Sequence, residues 1–580
     1  MNRHRAYYPL DDAPVADGDG GFLGVNSRLD PSQLPDGEVA DAVNMRWDKG
    51  TADPRKGLRI LPWGAEGFHG YDPGLIVPYG DVVTAASFRD PINAVEWMIV
   101  ATEAGTFRCR TGSTGMSIAG PDPLVIPPRT KLIQTYNGML MLRGASYDPL
   151  YMRDVDEGWL QVPEADPGWE RIPRSTEGIY WNNRVLAVDA RPELQYVDSV
   201  WVSDFGGVGS VLQGDRVYQS FKINQGSADR LVAVAPFNAT TLVAAKERSV
   251  YVVRNVYGTN ENLAEVAVLD QVTNDWGCLA PRSLVQVGAD VWLLAHRRGV
   301  CSLHLTETNA IQGVDVPVSR DIQPLIERIN WSAAAGSTAA SHDNRVYFAV
   351  PLDGADYNNA LLVFSTLTQK WAGYDMSAAI KVRDWIKFSY EQTVRLGYVS
   401  TDGFLYQLDF GIYDETGDAS GVVTRHEINW RWRSRGYGGR IAGPKRFDTL
   451  RAKVATHAPV YTVKVITDGI AESRTLTATT KSRTKWHRPY GRADWVELNE
   501  NDDFNDPHRQ DYSWPLTEEG ILLGSGIGLD LHQVTEESWG NLRRQGQQIQ
   551  VEWEGTQGRA VVMGQKVEMR RGNTRFGTKS

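Results

Sequence analysis

Asp290-Val-Trp-Leu-Leu-Ala-His-Arg-Arg-Gly-Val-Cys-Ser-Leu303 decides the fold of this chain. It is an apolar run, a polar turn carrying Gly299, and a second apolar run. Each run is too short for a helix and turn residues divide them, so the stretch reads as a β-hairpin. The phrase returns as Trp97-Met-Ile-Val-Ala-Thr-Glu-Ala-Gly-Thr-Phe-Arg108, as Thr241-Leu-Val-Ala-Ala-Lys-Glu-Arg-Ser-Val-Tyr-Val-Val-Arg254, and as Arg395-Leu-Gly-Tyr-Val-Ser-Thr-Asp-Gly-Phe-Leu-Tyr-Gln-Leu408. Looser copies lie at 131–154, 180–204 and 344–364. One supersecondary unit recurring every ~40–55 residues is how a β-propeller looks in sequence. A blade holds four strands, so each interval contains the hairpin and two less obvious strands. Six or seven blades follow, since the copies at 131–154 and 180–204 read as two blades or as one.

The flanks differ in texture. Residues 1–60 are dense in Gly, Pro, Asp and Asn and lack periodicity, which predicts an extended N-terminal arm lying along the rest of the protein or a neighbour. Residues 61–430 carry the hairpins. Within them Ile322, Leu325, Ile326 and Ile329 share one face of a short helix. Near residue 430, Ile428-Asn-Trp-Arg-Trp-Arg-Ser-Arg alternates apolar and basic residues, as a half-buried strand does. Further strands at 459–469, 471–480, 547–554 and 559–569 predict a C-terminal β-sandwich-like domain over 431–580. The expected class is all-β: a propeller, an N-terminal arm and a C-terminal sandwich.

Composition agrees. The 19 Trp, 23 Tyr, 56 Gly and 28 Pro suit short strands joined by tight turns. No stretch approaches the ~20 apolar residues of a membrane helix, so no membrane insertion by the chain itself is expected. Met1-Asn-Arg-His-Arg lacks the apolar core of a signal peptide, and three widely spaced cysteines read as free thiols made in a reducing cytoplasm. Charge is uneven. Residues 431–580 hold 24 Lys and Arg against 18 Asp and Glu, whereas residues 1–430 hold 37 against 53, a balance of −16. So acidic a body is unsuited to wrapping nucleic acid, but suits a surface past which a polyanion slides.

The opening segment holds the most specific string: a Gly24-Val-Asn26 start, the turn Pro31-Ser-Gln-Leu-Pro-Asp-Gly-Glu38, the element Ala42-Val-Asn-Met-Arg-Trp47, and the close Asp53-Pro-Arg-Lys-Gly57. In this order the parts resemble the N-terminus of the tail nozzle family of short-tailed bacteriophages, also called tail tubular protein B. The resemblance continues through Tyr180-Trp-Asn-Asn-Arg-Val-Leu-Ala-Val188, Trp201-Val-Ser-Asp204, Ile223-Asn-Gln-Gly-Ser-Ala-Asp-Arg-Leu231, Asp275-Trp-Gly-Cys-Leu-Ala-Pro-Arg-Ser-Leu284 and Val318-Ser-Arg-Asp-Ile322. It ends at Asn358-Asn-Ala-Leu-Leu-Val-Phe-Ser-Thr-Leu-Thr-Gln-Lys-Trp371, which resembles a closing strand whose Trp packs a blade. The pieces span roughly residues 20–410, and the C-terminal domain is similar only loosely.

The resemblance implies a virion structural protein, made in the host cytoplasm, that forms a homohexameric ring. The ring would continue the portal and adaptor, carry tail fibre or tip proteins, and pass double-stranded DNA without specific binding. Ring assembly needs heterologous interfaces, and the arm supplies interface candidates in Asn26, Arg28, Leu34, Asn44, Arg46 and Arg55. A body lacking residues 1–60 is then expected to fold and fail to assemble.

Other motifs are weaker. Asp402-Gly403 lacks the spacer of a sialidase-type Asp-box and reads as a hairpin reversal. No His-x-x-x-His, His-Glu-x-x-His or Cys-x-x-Cys spacing occurs, and no metal or other cofactor is expected. Asp17-Gly-Asp-Gly-Gly21 and the acids of 502–506 lack the full calcium-loop order and read as solvated loops. The glycines of 524–528 read as a turn. The basic cluster Arg431, Arg433, Arg435, Lys445 and Arg446, with Trp430 and Trp432 interleaved, reads as a strand with tryptophans in the core. Its arginines then face a neighbouring acidic subunit, or else DNA or a host surface. A non-enzymatic tail component leads. Its rivals are a tail protein binding host-surface glycans and, behind it, a propeller glycosidase.

Overall fold

The computed structural model describes residues 15–61, 82–90, 95–109, 116–191, 193, 197–204, 212–215, 220–256, 267–305, 311–313, 316–390, 393–418, 422–439, 445–468, 470–477, 485–487, 496–498, 533–539, 542 and 544–571. The residues of 502–506 and 524–528 lie outside these.

Short apolar runs bounded by turns form antiparallel strands, and the strands gather in fours. Blade 1 is Val82–Arg89, Glu96–Thr102, Gly105–Cys109 and Met116–Ile118. Blade 2 is Lys131–Thr135, Gly138–Leu142, Leu150–Met152 and Leu160–Gln161. Blade 3 is Ser175–Trp181, Arg184–Asp189, Ser199–Val202 and Ser220–Lys222. Blade 4 is Leu231–Pro236, Thr241–Lys246, Val250–Arg254 and Val268–Thr273. Blade 5 is Val285–Val287, Asp290–Ala295, Gly299–Leu305 and Ile311–Gly313. Blade 6 is Thr338–His342, Arg345–Val350, Ala360–Ser365 and Lys370–Asp375. Blade 7 joins Val382–Tyr390, Thr393–Ser400 and Leu405–Gln407 to Arg59–Ile60, with Tyr406 opposite Ile60.

Every hairpin quoted above is the middle of one blade. First strands of successive blades pack side by side, with the one-turn helix Pro281–Ser283 between blades 4 and 6, and Val382–Tyr390 returns to Val82–Arg89. The ring closes on seven blades. The protein is an all-β propeller.

Blade 6 does not end at its fourth strand. Lys370–Asp375 pairs with Val25 and Val43; Glu38–Val43 pairs with Trp430–Ser434, and that strand with Ile549–Arg571. Ile549–Arg571 then pairs along its length with Lys445–Thr467, completing a 13-stranded sheet. Gly373 sits at the junction with φ +111, and a Cβ there would stand 2.3 Å from the Ala42 carbonyl oxygen, so only glycine allows this approach. Residues 15–60 run extended along the rest of the protein, paired with its strands. Phe22, Val25, Val39, Ala42, Met45 and Trp47 are buried in the largest core, where Trp432 stacks on Trp553 and meets Phe22 and Trp47 edge-on. A chain without residues 1–60 would lose these side chains from the core and the last strand of blade 7, which argues against its folding unaided. The expected helix is shorter than the pattern suggested: a 3-10 turn Val318–Ile322 runs into Gln323–Ile326, and all four apolar residues are buried.

Candidate functional site

Blades of a ring leave a space on their common axis, and here it is a cavity of about 690 Å³. Its walls are residues just before or at the start of the first strand of a blade, such as Arg129, Thr176, Arg230 and Ser337, and just after the second, such as Ala190 and Glu247.

One side chain crosses this space. Pro281–Ser283 forms a single turn that Ser283 braces, its Oγ donating to the Ala280 carbonyl (2.7 Å) and accepting from Leu294 N–H (3.1 Å). The turn throws Arg282 over the axis. Its Nε reaches Glu177 of blade 3 (3.2 Å), its Nη1 Asp384 of blade 7 (2.6 Å), and its Nη2 the carbonyls of Arg129 (3.0 Å) and Thr130 (3.3 Å) beside blade 2. Lys131 of blade 2 closes the network on Glu177 at 2.8 Å. Four blades are thus tied at one level. Burial alone would raise the Glu177 carboxyl, but Lys131 and Arg282 overcome it and hold the group below the usual carboxylate range. Glu177 therefore stays ionised and acts as a tie, not a proton donor. Asp189 and Asp198, also in the wall, are paired with Arg191 and Lys246.

Five of the six interface candidates face inward. Asn26 donates to Glu38 (2.8 Å), which also holds Lys370. Leu34 is fully buried. Asn44 adopts φ +58, and its amide donates to the Met376 (3.0 Å) and Asn429 (2.6 Å) carbonyls while accepting from Met376 N–H and Arg55. Arg46 grips Asp375 with both Nη atoms, and Arg55 grips Asp414 likewise. Only Arg28 is exposed. These residues serve an interface within the chain, between the N-terminal strands and the rest.

The basic cluster is likewise engaged within the chain. Trp430 and Trp432 are in the core as expected. The cations, however, meet carboxylates and carbonyls of their own chain: Arg431 to Asp41 (2.8 Å), Arg433 to Glu552 (2.6 Å), Arg435 to Asp17 (2.6 Å) and Asp19 (3.0 Å), Lys445 to the Gln547 carbonyl (2.7 Å), and Arg446 to Asp448 (3.2 Å). These arginines are thus each paired with a carboxylate within the chain. The Asp17–Gly21 string is no solvated loop either. It lies in and beside the strand Val15–Asp19, with Asp19 buried against Arg435 and Tyr437. The cysteines are free and buried. Among the described residues no cluster of metal-ligating side chains occurs.

No protein-family model matches the chain, and no curated protein matches it. Solved structures similar to it include YCF48 bound to D1 peptide, with TM-score 0.34 and 11% identity over 60% of this chain and 98% of that one. Another is BBS1N in complex with ARL6DN, with TM-score 0.34 and 10% identity over 62% and 97%.

No spacing along the chain pointed to the axial tie. Lys131, Glu177, Arg282 and Asp384 come from four blades, and only Arg282 lay inside a quoted string, that of 275–284.

Proposed function

We propose that the chain is a virion structural protein, a tail nozzle or tail-channel subunit that assembles as a homohexameric ring through which phage DNA is ejected. The observation that carries the reading is where the resemblance string falls. Residues 21–57 build the clamp that joins propeller and C-terminal sheet. A catalytic fingerprint gathers polar groups around a place where reacting atoms sit; this one gathers them around buried backbone and ion pairs, as a part that holds shape would. Two features support the same reading. The Arg282 network blocks the propeller axis at one level, so a DNA path would run between copies, not through a blade ring. The acidic balance of residues 1–430 would keep a duplex sliding along that path by repulsion. Adaptor and portal rings above and fibre or tip proteins below are the partners this role requires.

Electron microscopy of the purified chain, alone and with its adaptor ring, tests the proposal. Six-fold rings with an opening wide enough for duplex DNA are expected. A chain that remains monomeric in the presence of the adaptor overturns it.

A further inference from the structure

Away from the axis, at the seam of blades 2 and 3, lies a second pocket of about 240 Å³. Arg143, Arg171 and Arg174 line it, and among the described residues Asp148 is the one acid in its wall. Arg143 follows the second strand of blade 2, Asp148 sits in the turn after it, and Arg171 and Arg174 come from the connection into blade 3.

Two of the guanidiniums meet the Asp148 carboxylate, and the third meets the main-chain carbonyl of the same residue. Arg174 Nε donates to Asp148 Oδ1 at 2.8 Å, and Arg171 Nη2 stands 3.7 Å from Oδ2. Arg143 donates from Nε to the Asp148 carbonyl (2.8 Å) and from Nη1 to the Val125 carbonyl (3.1 Å), and lies over the Tyr147 ring. Arg171 has one more acid nearby, Glu164 at 3.5 Å, which is 91% exposed and so well screened. Among the described residues, Nη2 of Arg143 and both Nη atoms of Arg174 have no partner. Arginine does not lose its proton in this range, so the wall carries two more positive than negative charges. Burial accordingly pulls Arg143 below the ordinary arginine value, and Asp148 only partly offsets it.

Such an excess within an acidic body calls for an anion. A second carboxylate would meet one fork, whereas a tetrahedral oxyanion presents terminal oxygens to three. The concavity admits one compact group and the ring that bears it; a duplex would bring its other phosphates against the acidic surface. We propose that this pocket binds a phosphate monoester or free phosphate through Arg143, Arg171 and Arg174. The inference does not depend on the nozzle reading.

Calorimetric titration of the full-length chain tests it, with inorganic phosphate and glucose-6-phosphate as probes. One saturable site per chain is expected, weakening as salt rises. Arg171→Ala/Arg174→Ala should weaken it by about tenfold or more, the loss of charge-assisted bonds. Arg230→Ala, at the axial mouth, should leave it unchanged. If the double variant fails to fold, Arg174→Gln alone must show a loss of the same sign. Tighter binding of glucose-6-phosphate supports the pocket and names a phosphorylated sugar as source; equal binding supports it with free phosphate. No saturable binding by the wild type at millimolar probe overturns the proposal. So does an equal loss in Arg230→Ala, which marks diffuse attraction, and so does displacement of phosphate by a short DNA duplex in an Arg174-dependent manner.

Discussion

Replacing Arg55 by Met tests the clamp at its most buried point. The Arg55 and Asp414 side chains are each 2% exposed, joined by two Nη–carboxylate bonds of 2.8 and 2.5 Å. Arg55 Nε also supplies Asn44 Oδ1 at 2.9 Å. Methionine keeps the apolar stem and removes every donor, so Asp414 is left as an uncompensated buried charge. Breaking such a pair from one side costs roughly 3–5 kcal/mol, whereas replacing both partners by apolar residues is often neutral or better. Arg55→Met should therefore be strongly destabilised, and Arg55→Met/Asp414→Leu should recover most of the loss. In an unfolding unit of 150–250 residues, 1 kcal/mol moves the midpoint by roughly 2–4 °C, so the single variant should melt on the order of 10 °C lower. The signal is tryptophan fluorescence, since Trp47, Trp430 and Trp432 lie in the core that the clamp closes. Arg59–Ile60 follows Arg55 directly and is the last strand of blade 7, so the variant should also gain protease cleavage in that blade. A single variant within about 1 kcal/mol of wild type, or a double variant no better than the single, refutes the argument that this charge is buried and held by its partner.

Two further outcomes follow from the titrating groups. Glu177 has a folded-state pKa held below its unfolded value, so its stabilisation is complete above about pH 4.3 and fades as pH falls through the lower folded value. Thermal midpoints of wild type and Glu177→Gln should converge as the buffer is taken below that point, and a constant gap down to pH 3 would contradict the ion-pair account. Burial pushes the thiols of Cys109, Cys278 and Cys301 up to about 12. Ellman's reagent at pH 8 should find almost no reactive thiol in the native protein and all three after denaturation; a fast native reaction would disprove their burial.

The sequence alone determined the propeller, because its signal is local. The middle strands of each blade are neighbours in the chain and largely apolar, as in Asp290–Ala295 and Gly299–Leu305, so periodicity finds them. Blade number stayed open because outer strands are short and partly polar, Leu160–Gln161 being two residues long, and the last strand of blade 7 comes from residues 59–60. Tertiary structure alone decided the role of residues 15–60. Their apolar residues are scattered over strands of two to six residues and bury nothing by themselves. They acquire a core only against Lys370–Asp375, Trp430–Ser434 and Ile549–Arg571. The same holds for the arginines: a sequence shows that Arg431, Arg435 or Arg55 is charged, while whether that charge faces solvent or a carboxylate hundreds of residues away is settled by packing. Arg282 over the axis arises from residues that only ring closure brings within reach, whereas the three guanidiniums around Asp148 meet through the packing of two adjacent blades.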